Sequence, residues 1–141
     1  MGERASAQRT TADQLLRDAR AKLERLTPPR AAEAMDRGDL LIDIRPLEQR
    51  VRDGAIPGAH VVARNVLEWR LDPASPHRSP ELSRRDRRVI VLCDEGYQSS
   101  LAAATLRSFG LDATDVSGGA QEWIRCGLPV EATGSSVGGA R

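Results

Sequence analysis

Apolar residues follow two different spacings along this 141-residue chain. Leu15, Leu16, Ala19, Leu23 and Leu26 recur at three- and four-residue intervals, which predicts a helix over residues 11–26. Thr11 is placed to cap it, and Pro28-Pro29 to end it, because a proline steers the preceding residue away from helical dihedrals. Residues 31–37 predict a second short helix closed by Gly38. Leu40-Leu41-Ile42-Asp43-Ile44 is a compact apolar run between Gly38 and Pro46, the pattern of a buried strand. A helical turn over 46–53, a short strand His60-Val61-Val62, a helix over 65–71 and a proline-rich loop over 73–80 follow. Val89-Ile90-Val91-Leu92 is the clearest strand, wholly apolar and mostly β-branched. After a loop over 93–98, Leu101, Ala102, Thr105, Leu106 and Phe109 mark one side of a helix over 99–109 that Gly110 closes. A strand over 112–116, a turn at Ser117-Gly118-Gly119 and a helix over 120–126 complete the pattern, with no internal repeat.

Strands thus alternate with helices, which predicts an α/β domain built on a mainly parallel sheet. The expected organisation is a frayed N-terminus over 1–10, N-terminal helices over 11–37, the α/β domain over 38–131 and a disordered Gly/Ser-rich tail over 132–141. Ligands of such sheets bind beyond the carboxyl ends of the strands. Cys93 stands at that end of the strongest strand.

Composition narrows the function classes. Lys plus Arg total 21 against 20 Asp plus Glu, so a net charge of +1 gives no ground for a nucleic-acid partner. Arg84-Arg85 and Arg87-Arg88 read as a solvated face. No apolar run approaches the ~20 residues that span a membrane, and the polar residues 1–14 do not form a signal peptide. Met1-Gly2-Glu3-Arg4-Ala5-Ser6 matches the short myristoylation pattern. Heavy use of Ala, Arg and Gly suggests a GC-rich bacterial genome, where that modification is not expected. With only two cysteines, Cys93 and Cys126, a disulfide scaffold is disfavoured and a reducing cytoplasm expected. The two histidines, His60 and His77, form no evident triad.

The chemistry concentrates at Cys93. A free cysteine has a pKa near ~8.5, and the thiolate is its reactive form. Unpaired N–H groups at a helix N-terminus favour an anion. Strand, Cys93, a five-residue stretch and helix is the order that puts a thiol there. Gly96 allows the loop to curl so that several N–H groups converge on one centre, a cradle suited to a thiolate, a persulfide or an oxyanion. The competing reading is a buried structural cysteine.

Three segments then resemble one family. Leu41-Ile42-Asp43-Ile44-Arg45 with Gly54-Ala55-Ile56-Pro57-Gly58-Ala59 is similar to the rhodanese pattern L-[IV]-D-[VI]-R followed by G-H-I-P-G-A. Val91-Leu92-Cys93-Asp94-Glu95-Gly96-Tyr97-Gln98-Ser99 resembles its active-site segment V-x-C-x-x-G-x-R-S. Ser117-Gly118-Gly119-Ala120-Gln121-Glu122-Trp123 with Gly127-Leu128-Pro129-Val130 resembles its closing motif. The resemblance implies a rhodanese-like, five-stranded parallel sheet with helices on both faces. It implies a sulfurtransferase in which Cys93 takes sulfane sulfur from thiosulfate or a persulfide and passes it to a thiophilic acceptor, with no metal or organic cofactor. Asp94, Glu95, Gly96, Tyr97, Gln98 and Ser99 become the substrate-binding loop. Asp43 and Arg45 become motif residues that hold fold and loop, and Trp123 an anchor of the closing helix, with a binding role as the alternative. The implied partner is a small sulfur compound or a sulfur donor or acceptor protein, and a monomer is the default, with a dimer through the N-terminal helix as the alternative.

The chain departs from the pattern at several points. Gln98 replaces the common loop arginine, and Asp94 and Glu95 put negative charge beside Cys93. Both oppose an anionic donor and the thiolate itself. Ala55 replaces the motif histidine, and residues 43–54 run one residue longer than usual. Two other functions stay open: a non-catalytic binding or sulfur-relay module, and a cysteine-based phosphatase or arsenate reductase. The latter needs an arginine to grip a tetrahedral oxyanion, where this chain has Ser99. Cys126 is either a half-buried filler or a thiol that resolves Cys93.

Overall fold

The computed structural model describes residues 9–133. The predicted frayed start and Gly/Ser-rich tail, and the myristoylation pattern, fall outside that range apart from residues 9, 10, 132 and 133. Four parallel strands, β1 (Leu40–Asp43), β2 (His60–Val61), β3 (Val89–Leu92) and β4 (Ala113–Asp115), form one sheet in the order β2-β1-β3-β4. β3 pairs with β1 from Leu40↔Val89 to Asp43↔Leu92, and with β4 from Val89↔Ala113 to Val91↔Asp115. It is central and buried along its length, which explains the unbroken apolar run.

Side chains leave the two faces alternately. Ile42, Val89 and Val91 pack with Leu67, Leu71, Ala102, Ala103 and Leu106 in one core. Those partners come from α4 (Leu67–Leu71) and α5 (Gln98–Arg107). Leu41, Ile90 and Leu92 pack in a second core with Ala31, Ala34, Ala120 and Trp123. These belong to α2 (Pro28–Asp36) and α6 (Gly119–Arg125). α1 (Ala12–Arg20) and α3 (Leu47–Asp53) complete the set.

The expected fifth strand is reduced to one residue. Leu26 bridges Val116 in parallel at the outer edge of β4, its N–H donating to the Asp115 carbonyl at 3.0 Å and its carbonyl accepting from Ser117 N at 2.8 Å. Pro28 and Pro29 follow after Thr27 and have no N–H to extend a ladder. The prolines therefore do not end the first helix. α1 stops at Arg20, six residues before the predicted end at Leu26, because the chain must run extended to reach that edge. Pro28 and Pro29 instead open α2 behind the cap Thr27, where missing donors cost nothing. On α5 the predicted apolar side is also revised. Leu101 is exposed, and the buried positions are Ser99, Ser100, Ala102, Ala103 and Leu106.

Candidate active site around Cys93

β3 delivers Cys93 to the carboxyl edge of the sheet, where it is buried apart from one opening. Its Sγ accepts hydrogen bonds from the N–H groups of Gly96 at 3.2 Å and Ser99 at 3.3 Å. Ser99 lies in the first turn of α5, whose capping residue Tyr97 contributes no side-chain hydrogen bond. The sulfur thus occupies the place a capping oxygen usually fills. The cradle is narrower than the six-residue loop suggested, with two converging amides.

The loop that supplies them is fixed by glycine. Gly96 has φ +87°, and a β-carbon there would stand 2.7 Å from Gly118 N and 3.2 Å from an Arg25 nitrogen. From the far side α6 presses its N-terminus onto the same loop. Ala120 N donates to the Cys93 carbonyl at 2.9 Å and Gln121 N to the Asp94 carbonyl at 3.1 Å. The Gly-Gly of the closing motif therefore permits helix-to-loop contact.

A cavity of about 450 Å³ opens above the sulfur, lined by Arg45, Gln49, Asp94, Glu95, Tyr97 and Gln98 among others. The predicted loop residues separate into two groups. Asp94, Glu95, Tyr97 and Gln98 line the mouth, whereas Gly96 and Ser99 are buried and point their amides at Sγ. The Asp94 carboxylate accepts from Arg52 at 3.1 Å and from Gln121 Nε2 at 2.9 Å, while Glu95 is exposed. Arg52 and Gln121 also bond Asp53, and the Arg52 hydrogen bond holds the Asp53 carboxyl below the usual carboxylate range.

Asp43 and Arg45 form a buried fork, with Nε to Oδ1 at 3.0 Å and a terminal guanidinium nitrogen to Oδ2 at 2.8 Å. That terminal nitrogen also donates to the Gly54 carbonyl at 3.1 Å, tying β1 to the Gly54-Ala55 motif. Ala55 in turn exchanges two backbone hydrogen bonds with Glu131, so the Gly54–Ala59 part of the first segment meets the chain just after the closing motif. Trp123 is 2 % exposed and donates Nε1–H to the Pro129 carbonyl at 2.9 Å, away from the cavity lining. Cys126 is exposed rather than half-buried, and neither cysteine is in a disulfide. Among the described residues, no cluster of three His, Cys, Asp or Glu side chains is grouped to hold a metal. Nor is any helix there long and apolar enough to cross a membrane.

Residues the sequence did not single out stand beneath the loop. Arg20 and Arg25 each donate to the Gly96 carbonyl at 2.8 Å. Arg25 also forks onto the fully buried Asp115, which accepts the hydroxyls of Ser99 at 2.7 Å and Ser100 at 2.8 Å. The guanidinium of Arg20 lies 5.5 Å from the centre of the Tyr97 ring. One signal did exist. An aspartate inside the short buried pattern Ala113-Thr114-Asp115-Val116 demands a charged partner. Its partner lies 90 residues away, beyond local pattern.

The model of the rhodanese-like domain matches residues 27–126. Nothing among curated proteins matches. Of solved structures, a Rhodopseudomonas palustris protein described as of unknown function, possible tyrosine phosphatase, is 32% identical with a TM-score of 0.79, covering 86% of this chain and 95% of that one. The homodimeric polysulfide-sulfur transferase of Wolinella succinogenes is 23% identical with a TM-score of 0.69, covering 86% of this chain and 88% of that one. The thiosulfate sulfurtransferase of Pseudomonas aeruginosa is 21% identical with a TM-score of 0.62, covering 80% of this chain and 20% of that one. The last two likenesses establish the fold, and the family match over residues 27–126 establishes that this chain belongs to the rhodanese-like domain family.

Proposed function

We propose that the protein is a sulfurtransferase that carries sulfane sulfur as a persulfide on Cys93. The observation that supports this reading is the pair of amides, Gly96 and Ser99, aimed at Sγ beneath an open cavity. Hydrogen bonds to a charged acceptor are roughly twice as strong as neutral ones, so the cradle favours the anion at each stage. The Cys93 thiolate attacks the outer sulfur of the donor. The new S–S bond forms as the donor's own S–S bond breaks, and its electron pair leaves with sulfite from thiosulfate, or with a thiolate from a persulfide. An acceptor thiolate then attacks the outer sulfur of the Cys93 persulfide and regenerates the Cys93 thiolate. Neither transfer needs an external oxidant or a general base.

The mouth favours a persulfide donor over the thiosulfate dianion. Asp94 and Glu95 line it, Gln98 stands where the family pattern has arginine, and Arg45 spends Nε and one terminal nitrogen on Asp43 and Gly54, with only its buried second terminal nitrogen left without a partner. Such a donor is a low-molecular-weight persulfide or a partner protein, in a reducing compartment such as a bacterial cytoplasm. Intact mass after incubation with thiosulfate and, separately, with a cysteine persulfide tests this. The expected result is a gain of one sulfur with the persulfide, absent in Cys93→Ser. No gain with any sulfane donor would overturn it.

The description of the Rhodopseudomonas protein motivates a phosphatase as the second reading. Here Ser99 takes the position of the oxyanion-binding arginine, and its hydroxyl is bound to Asp115. Hydrolysis of an aryl phosphate, lost in Cys93→Ser, would favour that reading. Alkylation of Cys93 no faster than a free thiol, with no turnover of any donor, would favour a relay module.

A further inference from the structure

We propose that Arg25 and Asp115 are positioning residues that aim both cradle amides at the Cys93 sulfur. The inference rests on Cys93 being the reacting thiol. Each of the two donor amides is held from behind by this one ion pair. Arg25 donates to the Gly96 carbonyl at 2.8 Å, and Gly96 N–H is the first donor to Sγ. Asp115 accepts the Ser99 hydroxyl at 2.7 Å, and Ser99 N–H is the second donor. Arg25 and Asp115 are themselves locked by a fork, at 2.9 and 3.1 Å. Its geometry divides the work cleanly: one terminal nitrogen of Arg25 has two protons, one for Asp115 and one for Gly96.

The surroundings leave the pair little freedom. Asp115 has no exposed side-chain surface, and Arg25 has 19%. Arg20 adds a second guanidinium to the Gly96 carbonyl at 2.8 Å. Both arginines precede residue 27, where the match to the family model begins, so a segment outside that match completes the cradle. A lysine at position 25 keeps the charge but cannot fork.

The pH dependence of Cys93 alkylation by iodoacetamide separates positioning from charge and from folding. Removing the negative charge of Asp115 would, by charge alone, favour the thiolate and lower the midpoint of the rate profile. Loosening the amides does the opposite. Arg25→Lys and Asp115→Asn are each expected to raise the midpoint by about one pH unit. Below the midpoint alkylation is expected to slow about threefold, because the thiolate fraction falls about tenfold while a more basic thiolate is about threefold more nucleophilic. Arg25→Lys is the deciding variant, since it preserves charge at a partly exposed position, and its midpoint tests the inference even if Asp115→Asn does not fold. A midpoint for Arg25→Lys equal to or below that of the wild type overturns the inference. Alkylation requires no sulfur donor, so failure of persulfide formation would overturn the sulfurtransferase reading while leaving this one intact.

Discussion

Gly119 packs so closely against Cys93 that a β-carbon on it would stand 2.5 Å from the Cys93 carbonyl oxygen. The same atom would lie 2.6 Å from the Asp94 carbonyl oxygen, and the glycine has φ +61°. These neighbours are backbone and cannot swing aside. Gly119→Ala is therefore expected to cost about 2–4 kcal/mol, from left-handed strain plus overpacking. Gly127 also has positive φ, at +76°, but a β-carbon there would meet nothing within 4 Å. Gly127→Ala should cost only the conformational part, about 1 kcal/mol. Urea denaturation of the two variants measures the difference, and equal losses would show that contact with the Cys93 loop is not what fixes Gly119.

The buried Asp43–Arg45 fork predicts an asymmetry. Each side chain is 1% exposed. Arg45→Met strands a buried carboxylate and is expected to cost about 3–5 kcal/mol. Replacing both, as Asp43→Leu with Arg45→Met, removes the stranded charge and should cost less than the single change. A double variant less stable than Arg45→Met in chemical denaturation would contradict this account.

Asp53 gives a pH dependence with a definite sign. Its carboxyl is held below the usual range by the Arg52 hydrogen bond, with a smaller contribution in the same direction from Gln121. A group depressed in the folded state adds stability above its unfolded pKa, near ~3.9 for aspartate, and that stability is lost as pH falls through the folded value. The window therefore lies below about pH 4. Arg52→Gln should raise the Asp53 midpoint in an NMR titration of the carboxyl carbon. Arg52 is 55% exposed, so added salt should shrink the difference between the two proteins.

Trp123 is expected to behave as an anchor. Trp123→Phe loses the hydrogen bond to the Pro129 carbonyl and should cost about 1–2 kcal/mol, whereas Trp123→Ala empties a core site and should cost about 3–5 kcal/mol. With Trp69, which is 56% exposed, replaced by Phe, the remaining emission reports Trp123 alone. It should be blue-shifted and unchanged when a sulfur donor is added. Quenching by donor would favour a binding role instead.

The strands are legible in the sequence because each is a short local pattern. β3 shows four apolar residues in a row, and burial on both faces demands that in any context. Cys93 is legible for the same reason, since the residue after a central parallel strand falls at the ligand edge whatever the rest of the chain does. Gly96 and the Gly118-Gly119 pair carry their own signal as positions of positive φ. The end of α1 is not legible, because Leu23 and Leu26 continue the helical spacing of Leu15, Leu16 and Ala19. Periodicity records that a residue is buried, not which partner buries it, and Leu26 is claimed by the edge of β4.

The fork from Arg25 to Asp115, its bond to Gly96 and the two serine hydroxyls join residues 71 to 90 positions apart, or 15 and 16 for the serines. No propensity or spacing rule reaches across such distances. Local sequence places a thiol at the end of a buried strand, before a glycine and a helix, because those features depend on neighbours a few residues away. Which amides turn toward that thiol, and which charges hold them there, depends on long-range packing. It is fixed only when the N-terminal segment closes over β4 and two buried charges must find each other or remain unpaired.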